Sequence, residues 1–393
     1  MLASFLMCSR RRDWLVSAAM IGMTAACATA TPVQDVARAP TRAPSRDNGS
    51  AERARDEIAV EAASAPQLVR WPVKTAAHVD VWLHAFALVT NDTTLVPLFK
   101  RGYRDSLTVI KNRLGLYTSL DSNRVWLTKG IVISPRYQEA QLLALDVNNW
   151  GTLRAFSARF AQLDGDLSRA DDAIAFRLRA YETVFPAAED RAWFRRFWDG
   201  VNDEHVQFYI AEHSRTVRAR AAVITAVDAL WQQVYRTKFD RVLRATNMQS
   251  GDLVVSLPLG GSGRMGGSRE RPMVVVPLPD RVADAPQAIY VFAHEIAGIV
   301  ASSVVVDFTS QAERRSGVAD GYVTSGRVLA GALLLERVAP ELLDGYRRYY
   351  LQHSGAPVDT SMASAPAFAA RFPLPDKMRN ALGQQFDAVL GGI

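Results

Sequence analysis

The chain's most conspicuous polar residues are the adjacent pair His294 and Glu295, set in Val291-Phe-Ala-His294-Glu295-Ile-Ala-Gly298, a stretch otherwise without charge. Both residue types bind metals and move protons. Neighbours on a helix point about 100° apart, so the two are not expected to face each other, and each needs its own partner. An unpaired buried polar group costs a few kcal/mol. Arg314, Arg315 and Arg327 are the candidate partners for Glu295. A polar pair on so apolar a helix marks either a cleft or a buried structural pair. His205 and His213 lie eight residues apart, within about 80° on a helix but about 12 Å apart in rise, too far to share one ion unless the helix is broken. Either could cross over to His294, although a solvated helix face with acidic neighbours is the plainer reading. His78 and His84, six apart, fall on different faces and read as surface or cleft-edge residues. His353, after Tyr349-Tyr350, reads as a helix end, where an imidazole suits the dipole.

Other chemistries find little support. There is no Gly-x-Ser-x-Gly elbow, and Ser302, Ser303 and Ser325 have no spacing that pairs a nucleophile with a base. The chain has two cysteines, Cys8 and Cys27. Both fall in the N-terminal leader described below, which leaves the rest without a disulfide, a Cys-ligated metal or a Cys nucleophile. The glycine-rich run Gly260–Gly267 lacks the Gly-Lys-Ser/Thr ending of a phosphate loop and opens no helix, which argues against nucleotide binding.

The elements that would position His294 and Glu295 follow from apolar spacing. Helices are expected over Ala77–Thr90, Tyr137–Leu145, Trp150–Leu163, Ser168–Phe185, Ala188–Thr216 and Arg218–Ala245. Trp193, Phe194, Phe197, Trp198, Phe208, Leu230, Trp231 and Val234 form an aromatic and aliphatic stripe that reads as core. Two β-type runs follow, Asp252–Leu259 and Pro272–Leu278, which the intervening glycines suggest joining as a hairpin with a mobile connection. The apolar helix Ala285–Asp307 comes next, with Asp284 as its N-cap. Helices near Val318–Val338, Pro340–His353 and Pro375–Leu390 close the chain. The expected fold is α+β and mainly helical, with a helical subdomain over 67–250 and a second subdomain over 251–393, where the hairpin precedes the His-Glu helix.

The His-Glu pair on a helix after such strands resembles the mark of zinc metallopeptidases, His-Glu-x-x-His, and the order of elements is similar to the gluzincin group. The resemblance implies a zincin-like C-terminal half. It implies that His294 binds zinc, that Glu295 serves as general base, and that Asp320 or Glu336 supplies the acidic ligand from a following helix. It also implies that an edge strand, here Leu253, Val254, Val255, Ser256 and Leu257, pairs with an extended peptide or protein substrate. The sequence departs from the pattern at Gly298, which stands where the second histidine belongs and has no side chain to offer. A site with two ligands at best points to a degenerate metallopeptidase-like protein. The alternative is a non-catalytic binding or scaffold protein.

The leader places that domain. Residues 1–27 carry Arg10, Arg11 and Arg12, then an uncharged apolar run, then Thr24-Ala-Ala-Cys27, and resemble a bacterial lipoprotein signal peptide ending at a lipid-acceptor cysteine. Thr24 departs from the aliphatic residue usual there, and cleavage near Ala30 is the alternative. The arginines also resemble a twin-arginine signal. Residues 28–66 are rich in Ala, Pro, Thr, Ser and Arg and read as a disordered linker. The expected location is the bacterial envelope, periplasm-facing or at the outer membrane, with the membrane as a partner through the lipid. Removing residues 1–26 takes three Arg and one Asp from 46 basic and 40 acidic residues, leaving a net charge of +4. So mild a surplus, with no basic stripe, predicts no nucleic-acid partner. The 285–306 run is the nearest thing to a membrane helix downstream, but His294 and Glu295 sit near its middle.

Overall fold

The computed structural model describes residues 70–268, 271–355 and 364–391. The signal peptide, Cys27 and the linker lie outside the described residues. The described residues belong to one compact unit.

The chain enters through β1 (Val73–Lys74) and then builds a helical layer from α1 (Ala77–Val89), α2 (Tyr103–Leu114), α3 (Ser119–Ile133), α4 (Trp150–Leu163), α5 (Asp172–Val184) and α6 (Ala188–Glu204). A run of 3-10 turns, Pro135–Ala144, links α3 to α4. Side chains cap several of these helices: Asn149 Oδ1 accepts from Thr152 N, and Asp171 Oδ1 from Ile174 N. Two long helical stretches expected as unbroken are interrupted by π-turns. The first is α6, His205–Tyr209 and α7 (Ile210–Ala219); the second is α8 (Ala221–Leu230), Trp231–Tyr235 and α9 (Arg236–Ala245). A π-turn inserts a residue and rotates everything after it. That rotation explains one misplaced core residue: Val234 is 40% exposed, and Tyr235 takes the inward position. The rest of the stripe packs as expected, with Trp193, Phe194, Phe197, Trp198, Phe208 and Trp231 buried and Leu230 packed at the edge.

The sheet corrects the expected hairpin. Its strands are β1, β2 (Asp252–Ser256), β3 (Arg264–Gly267) and β4 (Pro272–Pro277), in the order β1-β2-β4-β3. β2 and β4 run parallel, with Val254 opposite Val275. The true hairpin is β3–β4, antiparallel, with Met265 opposite Val274. The chain therefore passes over the place of β4, makes β3 within the glycine-rich run, and turns back to insert β4. β2 is not an edge strand either: β1 and β4 pair with its two sides, and all five of its residues are buried. β4 covers the whole of one edge and β1 covers Leu253 and Val254 on the other, so this buried strand offers no exposed edge to an extended peptide, and Leu257 lies just beyond its end.

Two cores lie on opposite faces of this sheet. Leu253, Val255, Val274 and Val276 face one, with Val223, Trp231, Phe239 and the C-terminal helices. Val254, Met273 and Val275 face the other, with α1 and the aromatic side chains of α6. Since α8 and α9 belong to the first core, packing runs continuously across residue 250. The C-terminal helices are α10 (Pro286–Phe308), α11 (Gln311–Arg315), α12 (Val318–Val338), α13 (Leu343–His353), α14 (Ser364–Arg371) and α15 (Asp376–Gly391). The helical segment Val282–Phe308 is long and apolar enough to cross a membrane, yet 72% of its apolar window is buried inside the fold. α10 packs chiefly against α12. The fold is thus mainly helical with one small mixed sheet.

Candidate functional site

α10 carries both His294 and Glu295 into the interior, at 4% and 2% exposure. Contrary to the helical-wheel expectation, the two side chains meet: His294 Nδ1 lies 2.9 Å from Glu295 Oε1. The carboxylate is drawn there by three further donors. Gly263 N donates to Oε1 at 3.0 Å, Ser262 Oγ to the same oxygen at 3.3 Å, and Arg327 Nη2 to Oε2 at 2.7 Å. Arg327, on α12, is one of the three arginines expected as a partner. Burial alone would raise the Glu295 pKa, but Arg327 and the hydrogen bond from His294 outweigh it and hold the acid far below the carboxylate range. Burial pushes the His294 pKa down, so the imidazole is neutral near pH 7. An ionised Glu295 accepts only, which assigns the His294 proton to Nδ1. The His294 ring stacks on Tyr350, centroids 5.2 Å apart.

The glycine-rich run before β4 serves close approach. A Cβ on Gly263 would fall 2.5 Å from the Val275 carbonyl and 2.9 Å from Glu295 Cγ. Position 298 is equally crowded: a Cβ there would fall 2.8 Å from Arg327 Nε. The guanidinium that neutralises Glu295 therefore passes over the spot from which a second histidine would project.

The donors implied for zinc do not come together. Gly298 offers none, His294 spends Nδ1 on Glu295, and Glu295 spends both oxygens. Asp320 is exposed near the start of α12. It lies eleven residues before Gly331, the α12 residue packed against His294, or roughly 16 Å along the axis. Glu336 is 57% exposed and borders a different cavity, beside Phe368 and Phe372. Among the described residues no three His, Cys, Asp or Glu side chains are grouped to hold a metal. The residues present do not fit the ion.

They do enclose a cavity of about 160 Å³. Its polar lining includes His294, Ser262, Arg264 and Arg327, and Val96, Leu98 and Phe99 contribute an apolar wall. The wall belongs to the segment after α1, which is pinned across the loop after β2: Gly260 N donates to Leu98 O at 2.6 Å and Gly261 N to Pro97 O at 2.9 Å. Arg264 escaped the sequence reading. Its only signal is a lone cation among glycines between two apolar strands.

The remaining histidines are structural and, contrary to expectation, mostly buried. His84 is fully buried, its Nε2 3.0 Å from Glu204 Oε1, and Glu204 Oε2 accepts from Lys111 Nζ at 2.8 Å. His78 Nε2 meets the Val147 carbonyl at 2.9 Å. His205 packs against Trp150 with the rings tilted by 40°, and His213 Nε2 lies 3.0 Å from Asp80 Oδ2. Neither crosses to His294. Ser256, at the end of β2, donates to the other oxygen of Asp80. Serine, aspartate and histidine thus gather, but in the wrong order for a nucleophile. The serine bonds the acid rather than the base, and at 0% exposure it meets no substrate. His353 ends α13 as expected, with Nδ1 on the Tyr349 carbonyl at 2.9 Å.

No known protein family, curated protein or solved structure matches the chain.

Proposed function

We propose that this chain is a tethered, metallopeptidase-like protein of the bacterial envelope that works by binding rather than by zinc hydrolysis. One observation carries the reading: the Arg327 guanidinium pairs with Glu295 and lies across Gly298. In a zinc peptidase the glutamate faces a metal-bound water and takes its proton. Here it faces a fixed cation that cannot deliver water. The His-Glu pair, the preceding strands and the buried helix fit a zincin-like ancestry, and the substitution of a guanidinium for the ion fits loss of hydrolysis. Cys27 and the linker would hold the domain near a membrane while leaving it free to reach a peptide or protein partner.

The decisive measurement is metal content and peptidase activity of the full chain after equilibration with micromolar zinc. The expected result is no bound zinc and no activity beyond that of His294→Ala. About one zinc per chain, lost in His294→Ala, would overturn the proposal. The tether is tested separately: Cys27→Ala should move the protein from the membrane fraction to the soluble fraction.

A further inference from the structure

Arg264 is a cation of the central cavity that forms no ion pair among the described residues. Its Nε donates to Gln141 Oε1 at 3.0 Å and its Nη1 to the Gly263 carbonyl at 3.0 Å, both neutral acceptors. Burial pulls its pKa down, partly offset by the charges of the nearby Glu295 and Asp92 carboxylates. Other charges border the same cavity. Arg327 is matched by Glu295. Asp92 also lines the cavity, but its Oδ1 accepts from Thr94 N and Oγ1 and its Oδ2 from Leu98 N.

A further observation converges on the same space. Thr90 is 9% exposed and lines the cavity, and its buried hydroxyl has no partner. Arg327 Nε, which lies against Gly298 rather than toward the cavity, is also buried without a partner. An unsatisfied donor on a concave, partly apolar space is what a ligand's acceptor oxygen completes. In the larger cavity of about 630 Å³ at the ends of β2 and β4, Lys100 pairs with Asp280 and Arg281 with Asp284, while Arg101 is exposed and donates to the His353 carbonyl.

We propose that this cavity binds a small carboxylate, held by the Arg264 guanidinium and the Thr90 hydroxyl, with its short apolar part against Val96, Leu98 and Phe99. A guanidinium presents paired N–H donors that match a carboxylate's two oxygens. At about 160 Å³ the space takes roughly the volume of five waters, which suits a short acid group. The same carboxylate could come from a free acid or from the C-terminal residue of a peptide. The C-terminal residue adds an N–H, which the unprotonated Nε2 of His294 is equipped to accept. The proposal rests on reading the site as a binding site with no ion.

The test titrates the full chain with N-acetyl-alanine, its amide, propionate and inorganic phosphate, reading calorimetry and the thermal midpoint. N-acetyl-alanine is expected to bind and raise the midpoint, and its amide is not. Preference for N-acetyl-alanine over propionate assigns the peptide source, and the reverse assigns the free acid. Arg264→Met should weaken carboxylate binding at least about tenfold, the scale of a charge-assisted hydrogen bond. It should leave the midpoint of the unliganded protein near wild type, because the side chain is half-buried and donates to neutral acceptors. A purely structural arginine would lower it. Thr90→Val should weaken binding severalfold while leaving the unliganded midpoint near wild type. Equal binding of acid and amide, unchanged binding by Arg264→Met, binding of phosphate alone, or binding of none of the probes would each overturn the proposal. A metal-free protein that ignores carboxylates would overturn this inference alone, whereas zinc uptake would overturn the reading beneath it.

Discussion

Arg327 and Gly298 share one space: a Cβ on the glycine would fall 2.8 Å from the arginine's Nε, while the same guanidinium donates to Glu295 Oε2 at 2.7 Å. Each residue therefore constrains the other. The arginine can hold the buried carboxylate only because position 298 carries no side chain, and position 298 cannot regain a ligand while the arginine stays.

This coupling is measurable. Alanine normally stabilises a helix interior over glycine by about 1 kcal/mol. Here Gly298→Ala is expected to destabilise by about 1–3 kcal/mol, the cost of overpacking a pinned neighbour. In an Arg327→Ala background the same change should become neutral or stabilising. A urea-unfolding double-mutant cycle reads the difference, and a coupling near zero would refute the shared-space account.

How far the sequence reveals this arrangement depends on the kind of information each part needs. α4 and α12 are legible to within a residue because their apolar positions recur at helical spacing. α2 and α3 are not, because Val109, Val125, Val132 and Ile133 face solvent and blur the period. β3 is hidden because Arg-Met-Gly-Gly contains no β-branched residue, and its strand state comes from pairing with β4 alone. Parallel pairing of β2 with β4 is a long-range fact that neither strand's composition encodes. At the site, Arg327 was predictable as one of three partners because a buried carboxylate demands a cation. Arg314 and Arg315 drop out because α11 is a short, exposed helix. Arg264 was invisible because nothing local tells an arginine that lines a cavity from one on the surface.

The Glu204 cluster predicts acid behaviour. Burial would raise its pKa, but His84 and Lys111 overcome that and hold it at about 2, against 4.5 for a free glutamate. Because the folded value is lower, the cluster's contribution is complete above pH 4.5 and is lost as pH falls toward 2. The loss amounts to roughly 3 kcal/mol at about 1.4 kcal/mol per unit of pKa shift. Glu204→Gln should lack this acid-side loss but be roughly 3 kcal/mol less stable at pH 7, since His84 and Lys111 would lose the carboxylate between them and Lys111 would keep Asp121 as its remaining ion-pair partner. Chemical denaturation at pH 7, 4.5 and 3 tests both parts.

The Asp80 junction makes a prediction against nucleophilic catalysis. Asp80 joins Ser256 to His213 across the interior, so its oxygens hold three chain segments together. Asp80→Asn should cost about 2–3 kcal/mol, the price of breaking charge-assisted hydrogen bonds. Ser256→Ala should cost about 1 kcal/mol, and neither protein nor variant should react with a fluorophosphonate probe. Labelling of Ser256 would show that the serine is activated and accessible, contrary to its burial.

His205 gives the sharpest pH test on the mild side of neutrality. Its ring lies 4.0 Å from that of Trp150, at 7% exposure, and its buried Nδ1 has no partner. Burial, with a smaller push from His213, lowers its pKa from 6.5 to about 4. Between those values the unfolded chain holds a proton that the folded protein refuses, so stability falls as pH drops from 6.5 toward 4. His78, His294 and His353 are also shifted down by burial, so the wild-type slope contains their shares as well. Comparison with His205→Phe isolates the single residue, because phenylalanine keeps a ring against Trp150 and takes up no proton. The variant should lose about 2 kcal/mol less stability than wild type between pH 7.5 and pH 5, from about 1.4 kcal/mol per pH unit below 6.5. It should also be the more stable protein at pH 5, having removed both the proton uptake and the unsatisfied nitrogen. Parallel pH profiles for the two proteins would mean that His205 accepts its proton without cost, and that its contact with Trp150 does not keep the imidazole neutral.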